Sequence, residues 1–166
     1  MNPNGLIPVL QDNGLTLFES GAILRYLGAK YGNDEFWPKD PTRRAELDKW
    51  AEWSKTTLCP VLIYHVFWTL VRTPKGDRDM NNLKTQVEKL GELMEMATAQ
   101  IGDSGYIGGE SLSFADIMFG HTLFRYFTLP FTRKELPDLS AYYGRLQTHV
   151  AYREHVMVDY SSLQVE

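Results

Sequence analysis

The stretch from Asn2 to Tyr31 constrains this chain more than any other. Two short apolar runs, Ile7 to Leu10 and Leu15 to Phe18, flank the sequence Asp12-Asn13-Gly14. An Asn-Gly pair tolerates positive φ, so the two runs are expected to pair as a β-hairpin. A helix is predicted to follow at once. Ser20 is a good N-cap, Ala22, Ile23, Tyr26 and Leu27 fall at helical spacing, and Gly32 suits a left-handed stop. Glu19 and Ser20 therefore stand where a strand becomes a helix.

That junction has a chemical meaning. The first turn of a helix carries unpaired N–H groups and a positive dipole end, so a ligand carboxylate can be held there by the backbone and the Ser20 hydroxyl. Glu19 beside it would meet an ammonium group, and together they would clasp both charges of an amino-acid zwitterion. Ile7-Pro8 adds a third element, because an X-Pro bond entering a strand can be cis and can turn the N–H and C=O of Ile7 toward a peptide ligand. The plainer reading, a helix cap and a strand start, stands beside this one.

The series Asn2-Pro3-x-Gly5-x-Ile7-Pro8-x-Leu10, followed by Glu19-Ser20-x-Ala22-Ile23-x-x-Tyr26-Leu27, resembles the second half of the glutathione-binding domain of cytosolic glutathione S-transferases, closest to their bacterial theta-like or beta-like branches. The likeness continues through the helical remainder. It implies a mainly α chain: a partial thioredoxin-like α/β segment (hairpin plus helix) over residues 1–32, a linker over 33–40 and an all-α C-terminal domain over 41–166. It also implies that Pro8 is a cis-proline, that Ile7 pairs by its backbone with the cysteinyl part of glutathione, and that Glu19 and Ser20 hold the γ-glutamyl end. In the family a strand, a helix and a strand come first and bring the Tyr, Ser, Cys or Asn that handles the thiol. The chain is accordingly expected to be a truncated or mis-started transferase, with its catalytic residue upstream of Met1 and no conjugating activity of its own. The full-length protein is expected to be a homodimer.

Composition narrows the classes of partner. A 166-residue chain with 43% hydrophobic residues can bury a substantial core. A formal charge of −4 without a Lys/Arg cluster argues against nucleic acid or an anionic membrane as partner, while leaving room for a small anionic ligand. Cys59 is the single cysteine, which fits a reducing compartment. The start M-N-P-N-G has no signal-peptide character, and the apolar run 59–71 is too short to span a bilayer, so the cytoplasm is the expected location.

Further along, Asp40-Pro41 opens a long helix predicted over 41–72, with Leu47, Trp50, Ala51, Ser54, Leu58 and Leu62 on one side and a bend expected between Thr56 and Pro60. Trp50 and Trp53 read as core or domain-interface aromatics. Asp79 caps a second long helix reaching about Ile101. Ser113 and Asp116 form a capping box, with Leu112 and Ile117 as its hydrophobic staple, at the start of a helix predicted to end near Thr128. In the family this box opens the central helix of the domain. Pro137 starts another helix, bearing Leu139, Tyr142, Tyr143, Leu146 and Val150, and a short one is expected from Arg153 to Met157.

The other chemical candidates are few. Cys59 has no base at a spacing that guarantees contact and reads first as a small buried hydrophobe. By resemblance, Cys59, Ile63 and Phe67 lie on the helix face bordering the electrophile site; plain core packing explains them equally. His65, His121, His149 and His155 have no metal-ligand spacing, so no metal is predicted. The resemblance implies glutathione as co-substrate, no covalently bound cofactor, and attack of its thiolate on a small hydrophobic electrophile. The competing readings are a non-catalytic binding or scaffolding module, and dehalogenation or isomerisation by glutathione addition.

Overall fold

The computed structural model describes residues 2–165. Asn13 and Gly14 take φ values of 48° and 85°, the paired positive values of a tight two-residue hairpin turn. They join antiparallel strands β1 (Val9–Asp12) and β2 (Leu15–Phe18), paired from Val9↔Phe18 to Asp12↔Leu15. β1 starts later than the apolar run suggests because Pro8 has no N–H to give the ladder. The Ile7-Pro8 bond is cis.

Helix α1 (Ser20–Tyr31) departs from expectation at both ends. Glu19, not Ser20, occupies the N-cap, with φ 70° and ψ 113°, and Ser20 is the first helical residue. Gly32 is extended (φ −77°) rather than left-handed. A Cβ on Gly32 would lie 2.5 Å from the Gly28 carbonyl oxygen, so close approach rather than a special φ calls for glycine there. Asp12 pins the hairpin to α1: its Oδ2 accepts from Tyr26 (2.9 Å), Lys30 (2.7 Å) and Tyr31 (2.8 Å).

Helix α2 (Pro41–Trp53) opens as its sequence dictates, with the Asp40 carboxylate accepting from the Arg43 N–H at 2.9 Å. The chain stays helical through Arg72, but from Ser54 the coil widens. The Cys59 N–H reaches the Ser54 carbonyl, five residues back, and this wider pattern fills Ser54–Leu58 and Pro60–Arg72. The disturbance expected between Thr56 and Pro60 thus takes the form of a change in pitch around a residue that cannot donate. Helix α3 (Met80–Ile101), capped by Asp79 through the Asn82 N–H, packs against this second half.

The centre of the helical domain is α4 (Phe114–Gly120), against which α1 and α2 both pack. Phe114, Ala115 and Phe119 are fully buried. The capping box of Ser113 and Asp116 is present, and the Asp116 carboxylate is shared widely. Oδ2 accepts from the Ser113 N–H and hydroxyl, each at 2.8 Å, while Oδ1 accepts from the Ile107 N–H and the Tyr142 hydroxyl, each at 2.9 Å.

The helix predicted to run from Ser113 to Thr128 is in fact two. After α4 the chain turns at His121-Thr122 and resumes as α5 (Leu123–Thr128). Tyr152 donates to the Gly120 carbonyl at 2.7 Å, taking the acceptor that a continued helix would offer to Phe124. The Thr122 N–H tightens onto Phe119 instead. Two more helices follow, α6 (Pro137–Thr148) and α7 (Val150–His155), so Val150 opens α7 rather than closing α6, and the last helix lies earlier than Arg153 to Met157. The tail returns to the long helix, where the Val165 N–H meets the Val71 carbonyl at 3.0 Å and Tyr160 packs edge-on against Phe67 and Phe124.

Candidate functional site

The strand-to-helix junction carries the clearest backbone irregularity that is not a turn. Apart from Asn13 of the hairpin, Glu19 is the one non-glycine among the described residues with positive φ. Such a conformation costs on the order of 1–3 kcal/mol and persists where the surroundings over-determine it, often at ligand sites. It sends the Glu19 side chain off the end of β2 while Ser20 enters the first turn of α1. Ile7 lies close by in sequence space to the same sheet end: it is 93% exposed and outside the strand pairing, which starts at Val9↔Phe18.

Ser20 opens onto a cleft of about 330 Å³ between the two parts of the chain. Leu24 of α1 lines it on one side, Lys55 and Cys59 of the long helix on another, and Ile117, Met118 and His121 at the end of α4 on the third. The fold thus brings Ser20 and Cys59 to one cleft. Ile63 and Phe67, predicted for the same helix face, are not among its lining residues: Ile63 is half-buried against the core, and Phe67 is 5% exposed beneath the Tyr160 ring.

Two lining residues were not singled out in the sequence. Lys55 places Nζ 3.2 Å from Glu19 Oε2. It precedes Cys59 by one helical turn, so extending that face backwards would have found it. His121 brings Nε2 to 3.7 Å from Cys59 Sγ across a separation of 62 residues, a pairing with no local signal. Cys59 thus has a base beside it, although none stands at a spacing in the sequence that guarantees contact. Burial nevertheless pushes the thiol up to about 11, which favours its protonated form. Burial also lowers the His121 pKa, which keeps the imidazole neutral.

α1 is tied to α2 by charge. Arg25 of α1 bonds Asp48 through Nε (3.0 Å) and Nη2 (2.5 Å), and also Glu52. Among the described residues, no group of three or more His, Cys, Asp or Glu side chains is placed to hold a metal ion, although His121, His149 and His155 line one apolar pocket beside α4. No helix among them is long and apolar enough to cross a membrane.

A cis-proline hairpin that ends in a Glu-Ser helix start, set against an all-helical domain with a buried capping box, defines a glutathione transferase architecture. The chain belongs to the glutathione S-transferase family. The model of that family's N-terminal domain matches residues 1–29, and that of its C-terminal domain matches residues 61–145. Glutathione S-transferase GstB of Escherichia coli strain K12 is 34% identical over 165 residues, covering 97% of this chain and 78% of its own. Glutathione S-transferase F10 of Arabidopsis thaliana is 30% identical over 165 residues, covering 93% and 74%. The crystal structure of a theta class glutathione S-transferase from Xanthomonas axonopodis pv. citri with glutathione bound has a TM-score of 0.84 at 37% identity, over 91% of this chain and 78% of that one. Members of the family are transferases with glutathione as co-substrate.

Proposed function

We propose that this chain holds glutathione at the β2–α1 junction and that the protein conjugates the glutathione thiolate to a small apolar electrophile. The observation that carries the reading is the positive φ of Glu19, which stands beside Ser20 and pairs with Lys55, both of them residues that line the cleft. Glu19 would take the γ-glutamyl ammonium, and Ser20 with the first-turn N–H groups its carboxylate. The exposed backbone of Ile7, entering cis-Pro8, would pair with the cysteinyl residue. Holding glutathione this way converts a bimolecular encounter into an oriented one.

Leu24, Cys59, Ile117 and Met118 supply an apolar wall for the electrophile. Cys59 belongs to that wall rather than to the chemistry, and Ile63 and Phe67 extend the same helix face away from it. The reading includes a homodimer formed through α1 and α2, and a reducing cytoplasm, where both glutathione and Cys59 remain thiols. Sedimentation at micromolar concentration tests the dimer.

Titration calorimetry with glutathione tests the site. Glu19→Ala and Ser20→Ala are each expected to weaken binding about tenfold, the worth of a charge-assisted hydrogen bond. Wild-type affinity in both would reject the junction as the site. Turnover of a generic aryl halide by the full-length protein tests the chemistry, and glutathione binding without turnover in it would identify a binding module instead.

A further inference from the structure

A cation stands where the local field disfavours one. The Lys55 ammonium lies 3.7 Å from the point a Cβ on Gly21 would occupy, so it hangs over the first turn of α1, the positive end of that helix. Cations are stabilised at helix C-termini, and at an N-terminus the dipole opposes them. The lysine stem passes beside Gly21, and Nζ is bonded to Glu19 Oε2 at 3.2 Å. The other cation near Gly21 is Arg25, already engaged by Asp48 and Glu52. Lys55 and the helix end are thus two positive features converging on a cleft that Ser20 also lines.

We infer that Lys55 is a carboxylate-binding residue of the glutathione site, which exchanges its pairing with Glu19 for the α-carboxylate of the γ-glutamyl residue when the ligand enters. The inference rests on the reading of Glu19 and Ser20 given above. The α-ammonium and α-carboxylate of an amino acid hang from one carbon, so the groups that receive them must be neighbours, as Glu19 and Lys55 are. In the free protein the two side chains satisfy each other. The zwitterion then inserts between them with its ammonium on Glu19 and its carboxylate on Lys55 and Ser20, and no charge is left unpaired in either state. The exchange is cheap, because both side chains are well exposed and a solvated ion pair of this kind holds weakly. Pre-placed opposite charges also reject ligands with an amine but no acid, or an acid but no amine.

The test is calorimetry on the full chain with glutathione, γ-glutamylcysteine and the α-carboxamide of glutathione. Lys55→Met is expected to weaken glutathione and γ-glutamylcysteine by the same factor, about tenfold, while binding the carboxamide as the wild type does. Lys55→Arg should recover most of the loss. Unchanged or tighter glutathione binding in Lys55→Met, beside a loss in Ser20→Ala, would overturn the inference and leave the site standing, with Lys55 a mere competitor for Glu19. A loss for glutathione but not for γ-glutamylcysteine would overturn it too, by moving Lys55 to the glycyl carboxylate. Absence of glutathione binding in the wild type would remove both the site and the inference.

Discussion

Tyr142 donates its hydroxyl hydrogen to Asp116 at 2.9 Å from a helix 26 residues away, and both groups are buried. This bond joins α6 to the capping box of α4. Replacing Asp116 by Ala would leave the Tyr142 hydroxyl and the Ser113 and Ile107 N–H groups without an acceptor, at a cost of about 3 kcal/mol or more. Ser113→Ala and Tyr142→Phe each remove one hydrogen bond and should cost about 1 kcal/mol. Urea unfolding should show Asp116→Ala as the least stable of the three.

Glu19 separates backbone from side chain in a way a pair of variants can read. Both Glu19→Ala and Glu19→Gly delete the carboxylate and should weaken glutathione binding alike. Glycine bears a positive φ with less strain than alanine, so the Gly variant should be the more stable by about 1 kcal/mol in urea. Equal stability would mean that the backbone relaxes once the side chain is gone.

Asp12 predicts an acid-side effect. Hydrogen bonds from Lys30, Tyr31 and Tyr26 hold its carboxyl at about 2, below the ordinary 3.8. A depressed folded-state value means that the clasp contributes fully above the ordinary value and is lost as pH falls through about 2. The difference in urea midpoint between wild type and Asp12→Asn should therefore be constant above about pH 4 and close as the pH approaches 2.

Cys59 should alkylate slowly. With its thiol pushed up to about 11, its thiolate fraction at neutral pH is roughly two orders of magnitude below that of an ordinary cysteine near 8.5. Iodoacetamide labelling should be correspondingly slow at pH 7.5 and rise steadily with pH. Rapid labelling at neutral pH would show that His121 activates the thiol.

What the sequence made readable was local. Asn13-Gly14, Ile7-Pro8, Asp40-Pro41 and Ser113-x-x-Asp116 each act over a few residues, and their hydrogen bonds or torsions follow from residue type. The largest departure comes from a partner distant in the chain. α4 stops at Gly120 because Tyr152 claims its carbonyl, and no pattern around Gly120 announces that. The cap of α1 moved from Ser20 to Glu19 because a backbone torsion, invisible in composition, decides where the helix begins. In the cleft, Ser20 and Cys59 were legible as separate candidates. Their meeting with Lys55 and His121 depends on how α1 and α4 lie against the long helix.

The tail marks a place where this fold can vary apart from its helices. Tyr160 meets Phe67 edge-on with ring centroids 5.3 Å apart and shares a 2.8 Å hydrogen bond with Thr128. Phe67 belongs to the long helix, where a new side chain disturbs the core. Tyr160 does not. A substitution at Tyr160 therefore alters what covers the Phe67 end of the long helix while leaving every residue of the β2–α1 junction and of the helices themselves in place.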